Sequence, residues 1–166
     1  MAETIKFQIQ MKVKDLWQFS MYHSYRGMVG VFAVVFTGAA LYYVIASWTL
    51  LSETQRIAMI FVVLMFPVLQ PVMLYWKAWK RMRQPVMQTA TLLEFQEEGL
   101  KVTQQDQEAL FPWDQIGRID RKPTMLVIYM DRIHAYLIPK EVYEERLEEL
   151  SDFLHGQLPK EKLTRI

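Results

Sequence analysis

Residues 27–76 read GMVGVFAVVFTGAALYYVIASWTLLSETQRIAMIFVVLMFPVLQPVMLYW, and the fold turns on how this stretch is read. Gly27 to Leu51 is a run of 25 residues without a charge, and Ile57 to Trp76 is a second of 20. Five residues, Ser52-Glu53-Thr54-Gln55-Arg56, separate the runs and hold the only two charges of the stretch. The hydrocarbon core of a bilayer is about 30 Å thick and takes about 20 helical residues to cross. Both runs are long enough, and so short a link forces them antiparallel. The expectation is a transmembrane helical hairpin with spans 27–51 and 57–76.

Basic residues set the expected orientation. Lys12, Lys14 and Arg26 precede the first span, Lys77, Lys80, Arg81 and Arg83 follow the second, and the link holds only Arg56. Positive residues stay on the cytoplasmic side. The expected location is therefore the cytoplasmic membrane, multi-pass, with both termini cytoplasmic. Trp48 would mark the outer interface, and Trp76, Trp79, Tyr22 and Tyr25 the inner one, where amphipathic rings settle at headgroup depth.

The first span carries Gly30, Ala33, Thr37, Ala40, Val44 and Ser47 on one face, at spacings of 3 and 4. Helices in lipid associate by close backbone approach, so this seam is a candidate packing surface for the second helix. A homodimer through the same seam is the rival. In the second span Pro67 and Pro71 each remove a backbone donor. A kink near the midplane is expected, with Gln70 satisfying a freed carbonyl. Neither span contains Asp, Glu, Lys, Arg or His, the residues that mark pumps and ion-coupled carriers, so transport by this chain alone is not expected.

Outside the hairpin the pattern changes. Ile5, Phe7, Ile9, Met11 and Val13 alternate with polar residues across Thr4 to Val13, the period of a half-buried strand. Asp15 can cap the segment Leu16 to Arg26, which reads as an amphipathic helix. Residues 1–26 are thus expected to supply a strand and a surface helix, the strand joining a sheet made after the hairpin. Residues 77–166 form the expected cytoplasmic domain. Thr89–Phe95, Leu100–Thr103, Ala109–Trp113, Ile116–Arg121, Met125–Met130 and His134–Ile138 read as strands of an antiparallel meander. Turns fall at Glu97-Glu98-Gly99, Gln104–Gln107 and Asp131-Arg132, with a turn or bulge near Gly117. Pro139 opens a helix with the stripe Tyr143, Leu147, Leu150 and Leu154; Gly156 would cap it, and the tail Lys160 to Ile166 would be loose.

The search for chemistry finds no catalytic, cofactor or metal site. The chain has no cysteine, which excludes disulfides and thiolate catalysis. No metalloprotease, phosphate-loop or nucleophile-elbow motif is present. His23, His134 and His155 lie in different elements. Glu94, Glu97 and Glu98 sit at a turn without a partner set, and the 11 methionines are scattered, as packing residues are. The net charge of +1 implies no nucleic-acid partner. The candidate membrane-surface contacts are two basic clusters: Lys77, Lys80, Arg81 and Arg83 beside the second span, and Arg118, Arg121 and Lys122 near a strand end. Anionic headgroups attract such residues by roughly 1 kcal/mol each.

Phe111, Trp113 and Ile116 in FPWDQI, then Tyr136-Leu137-Ile138-Pro139-Lys140, then the leucine-bearing helix, resemble the YcxB-like family of bacterial membrane proteins. Two spans before a β-rich domain are similar to that family as well. The resemblance implies a pleckstrin-homology-like domain, a curved sheet capped by a C-terminal helix. The fold expected is therefore membrane α+β: a two-helix hairpin plus a small antiparallel β domain. The expected function is a non-catalytic, membrane-tethered module that contacts membrane lipids and binds a protein or peptide at the inner face. Its rivals are an immunity protein against a membrane-active peptide toxin and a subunit of a transporter or membrane enzyme.

Overall fold

The computed structural model describes residues 4–131 and 134–166. The chain runs β1 (Ile5–Ile9), α1 (Val13–Ser24), α2 (Met28–Ala46), α3 (Glu53–Leu64), a π turn (Met65–Leu69), α4 (Gln70–Met82) and the single turn α5 (Pro85–Gln88). It continues through β2 (Thr91–Gln96), β3 (Gly99–Gln104), β4 (Gln107–Pro112), β5 (Arg118–Arg121), β6 (Met125–Tyr129) and β7 (Ala135–Pro139). It ends with α6 (Lys140–Tyr143), α7 (Leu147–Gln157) and β8 (Leu163–Thr164). Two compact units result: residues 16–83, which are helical, and residues up to 15 together with 84–166, which are β-rich.

In the helical unit, α2 and the continuous helix 53–82 are 19 and 30 residues long, enough by length and composition to cross a membrane. α2 begins after Gly27, whose φ of 65° suits a residue without Cβ. A Cβ on Gly30 would strike the backbone carbonyl of Tyr25, so this glycine is required by the corner before α2. α2 ends at Ala46, five residues short of the expected boundary, and the chain turns through Ser47 to Ser52. The expected link, Ser52 to Arg56, is instead the first turn of α3. The Ser52 hydroxyl accepts from the Gln55 amide at 3.4 Å, and the Gln55 side chain accepts from the Ser52 amide at 2.9 Å. Two orphan amides of the helix start are thereby satisfied.

The proline break is a π turn. The Gln70 amide donates to the Met65 carbonyl, five residues back. Continued one step, that ladder would have the residue-71 amide donate to the Phe66 carbonyl, but Pro71 has no amide hydrogen. The Tyr25 hydroxyl donates to Phe66 O instead, at 2.5 Å. Tyr25, not Gln70, therefore meets the freed carbonyl. The π turn lies at the middle of the continuous helix 53–82, where Phe66 packs against Phe32 and Phe36 of α2, with centroids at 6.0 and 5.6 Å.

The β unit holds two four-stranded sheets, ordered β1-β2-β3-β4 and β7-β6-β5-β8. The expected single meander divides at Trp113–Gln115, a 3-10 turn between β4 and β5. β1 pairs antiparallel with β2, Ile5 opposite Phe95 and Ile9 opposite Thr91. The N-terminal strand thus joins the sheet made after the hairpin, as its alternation predicts. Ile5, Phe7 and Ile9 are 1%, 3% and 3% exposed, and each such burial contributes roughly 1.5–3 kcal/mol. The strand is shorter than predicted, because Val13 already starts α1. Asp15 reaches back from the first turn to accept from the Lys12 amide at 2.9 Å, rather than preceding the helix.

Between the sheets and α7 lie Leu93, Phe95, Leu100, Ile116, Ile119, Ile128, Ile138, Leu150 and Leu154, all fully buried. Trp113 Nε1 donates to the carbonyls of Gln96 and Glu97 at 3.0 and 3.1 Å, fixing the turn after β2. Gly99, at φ 153°, follows; a Cβ there would collide with the Phe111 carbonyl across the sheet. Gly156 lies inside α7, which runs to Gln157, so it is not the cap. The tail is ordered. β8 pairs parallel with β5, and Lys162 Nζ donates to the carbonyls of Asp114 and Ile116 at 3.3 and 2.7 Å. The turn expected at Asp131-Arg132 extends at Arg132 beyond the described residues.

Candidate functional site

The helical unit is apolar outside. Along α2, the side chains of Met28, Val31, Phe32, Val34, Val35, Leu41, Tyr42 and Ile45 are exposed. Along the second helix Ile57, Phe61, Val68, Val72, Tyr75 and Trp76 are exposed too. Helices at the centre of a water-soluble protein bury such residues. Within the seam, Ala33, Ala40 and Val44 are buried, while Gly30, Thr37 and Ser47 are half-buried. α2 packs against α3 and the π turn.

Beside the π turn lies a cleft of about 370 Å³. Met21, Ala33, Phe66, Pro67 and Pro71 wall it, and Tyr25 and Thr37 bring hydroxyls to it. The Tyr25 hydroxyl is committed to Phe66. Thr37 Oγ1 is buried without a hydrogen-bond partner, which costs about 1–3 kcal/mol in an apolar surrounding. Trp17 Nε1 donates to the Pro71 carbonyl at 3.1 Å, so α1 closes on the same break.

The two basic clusters lie in different units and differ in kind. Lys77, Lys80 and Arg81 are exposed and share one face of α4, at i, i+3 and i+4. Arg83, at the helix end, holds its guanidinium 3.8 Å from the centre of the Trp79 ring. None of the four forms an ion pair among the described residues. In the β unit, Lys122 pairs at 2.7 Å with Asp120, a buried carboxylate, and Arg118 lies over the Tyr129 ring at 4.4 Å. Arg121 is half-buried. This second cluster is largely spent on its own strands.

Glu94 is not at a turn. It sits mid-strand in β2, 6% exposed, between Lys6 of β1 and Lys101 of β3. Lys101 continues the ladder to Glu108 of β4 at 2.9 Å, and the bond to that carboxylate holds the ammonium above the usual lysine range. Only the partner strands show this; in the one-dimensional pattern Glu94 is simply a glutamate before Glu97. β4 itself pairs on one side, with β3, and Gln107 to Leu110 are exposed. His23 stacks on Phe19, His134 pairs with Asp131 at 2.7 Å, and His155 faces Ile166 O at 3.4 Å. Among the described residues, no three His, Asp or Glu side chains gather as a metal site would need.

The β unit carries a known family's pattern. The family model described as YcxB-like protein matches residues 95–154, from Phe95 in β2 to Leu154 in α7. The match includes FPWDQI and YLIPK, the segments that carried the resemblance, and covers 60 of the 166 residues. No curated protein matches the chain, and no solved structure does.

Proposed function

We propose that this chain is a non-catalytic, membrane-tethered module: the hairpin crosses the cytoplasmic membrane twice, and the β unit binds a protein or peptide on the cytoplasmic side. One observation carries the reading. β1 and β2 pair in register although both long apolar helices lie between them in sequence. Strands of one sheet share a compartment, so the intervening chain crosses the membrane an even number of times. Two helices with apolar exteriors supply two crossings. The cations before α2 and after α4, against Arg56 alone at the start of α3, favour the cytoplasm for that compartment.

The strand arrangement supports a pleckstrin-homology-like domain. β1–β4 form one antiparallel sheet and β5–β7 a second, and α7 follows and packs its leucines into the core. For the partner, β4 is an edge strand among the described residues and carries the exposed side chain of Leu110, the setting for strand addition by an extended peptide. Site-specific photo-crosslinking in intact cells tests this. A crosslinker at Leu110 should give a discrete protein adduct absent from one at Glu148, on exposed α7 surface. No adduct at Leu110, or the same adducts from both positions, would count against a specific partner on β4.

A further inference from the structure

We infer that the end of α4 is a headgroup site for anionic phospholipids, with Lys77, Lys80 and Arg81 as its cationic face and Arg83, stacked on Trp79, as its rim. The inference rests on the tether reading and names the ligand of one of its surfaces.

Charge is segregated between the units. Residues 16–83 carry six cations (Arg26, Arg56, Lys77, Lys80, Arg81, Arg83) and one anion (Glu53), a net +5. The whole chain is +1, so the remainder is −4. Four of the six cations fall within seven residues at the end of α4, three of them on one helical face. Like charges at i, i+3 and i+4 repel, and no carboxylate of the unit stands among them to offset this. The helix dipole favours Lys80 and Arg81 in the last turn but reaches Lys77, one turn earlier, less well.

Aromatic side chains fix where the cluster works. Trp76 is 64% exposed and Trp79 39%, a turn apart and next to the apolar exterior of the helix. Exposed indoles at the boundary between an apolar and a charged helical segment suit the headgroup layer. Arg83 over Trp79 is held by cation–π attraction, which leaves its N–H donors free at the edge for phosphate oxygens. The β-unit cluster lacks these features, since Lys122 and Arg118 are already engaged.

The test uses the full chain purified in non-ionic detergent and titrated with phosphatidylglycerol or phosphatidylcholine, reading the melting temperature. Phosphatidylglycerol should raise it more, since a ligand of the folded state stabilises that state. Each cation replaced by Gln in Lys77→Gln, Lys80→Gln and Arg81→Gln should weaken the lipid about five-fold, and the triple variant should lose the preference. About 1 M NaCl, with a screening length near 3 Å, should lose it too, whereas Arg118→Gln with Arg121→Gln should keep it. Equal effects of the two lipids on the wild type, or a preference surviving in the triple variant, would overturn the site. So would inorganic phosphate matching phosphatidylglycerol, because the ligand would then not be a lipid. Alkaline carbonate extraction separates the two readings. A chain that stays with the membrane yet shows no lipid preference overturns the headgroup site alone; a chain that is released overturns both.

Discussion

Tyr25→Phe removes one oxygen and leaves the Phe66 carbonyl without the hydroxyl that meets it at 2.5 Å. The carbonyl faces an apolar cleft, so no other donor is at hand among the walls except the Thr37 hydroxyl. A buried acceptor left unpaired costs about 1–3 kcal/mol, and the hairpin should lose that much stability. Pro71→Ala restores the missing backbone donor. In that background Tyr25→Phe should cost less than about 0.5 kcal/mol, leaving a coupling of about 1–2 kcal/mol between residues 46 positions apart. The assay is the four-member cycle of wild type, both single variants and the double variant, each unfolded by SDS titration from mixed micelles and followed by tryptophan fluorescence. Equal cost of Tyr25→Phe in both backgrounds would refute the idea that the hydroxyl stands in for the Pro71 amide.

Phe7→Asp or Ile9→Asp should unfold the β unit or cost it at least about 3 kcal/mol, while Gln8→Asp on the exposed face should cost under about 0.5 kcal/mol; the far-UV circular dichroism melt of the full chain distinguishes them. Thr37→Val keeps the shape and removes a buried hydroxyl with no partner, so the hairpin should gain about 1 kcal/mol in the same SDS titration, and a loss would mean that the hydroxyl is bonded. Lys12 and Arg146 hold the carboxyls of Glu141 and Glu149 below the ordinary range through side-chain hydrogen bonds. Their small, exposed contribution is present above the unfolded carboxylate range and fades as pH falls through the lowered folded values. Glu149→Gln should therefore lower the melting temperature slightly at neutral pH and leave it unchanged below the carboxylate range, which flattens the acid limb of melting temperature against pH.

Much of the fold is legible wherever one residue's neighbours in sequence decide its environment. IKFQI alternates because each side chain in turn faces the sheet interior, so the strand and its buried face can be read directly. The two apolar runs are legible for the same reason. The capping box Ser52-x-x-Gln55 is legible too, but the charges of Glu53 and Arg56 between two apolar runs make the segment read as a link. What stays hidden depends on distant groups. Two prolines four apart announce a break, but the donor that completes it comes from Tyr25, 41 residues away. Nothing periodic marks Leu163–Thr164; the tail is ordered because Lys162 finds the carbonyls of Asp114 and Ile116. The division into two sheets follows from Trp113, whose ring stacks on Phe95 at 6.3 Å and meets Phe153 at 5.9 Å. The two basic clusters look alike in sequence and are told apart only by Asp120 and Tyr129, which engage one of them.

The central claim is that the hairpin crosses the membrane twice and returns the chain to the cytoplasmic side. With no native cysteine, single thiols report position cleanly. Thr54→Cys, in the exposed first turn of α3, should react with an impermeant maleimide in intact cells. Asp152→Cys, on exposed α7, should react only after the cells are permeabilised. Labelling of Asp152→Cys in intact cells, or protection of Thr54→Cys until permeabilisation, would contradict the account.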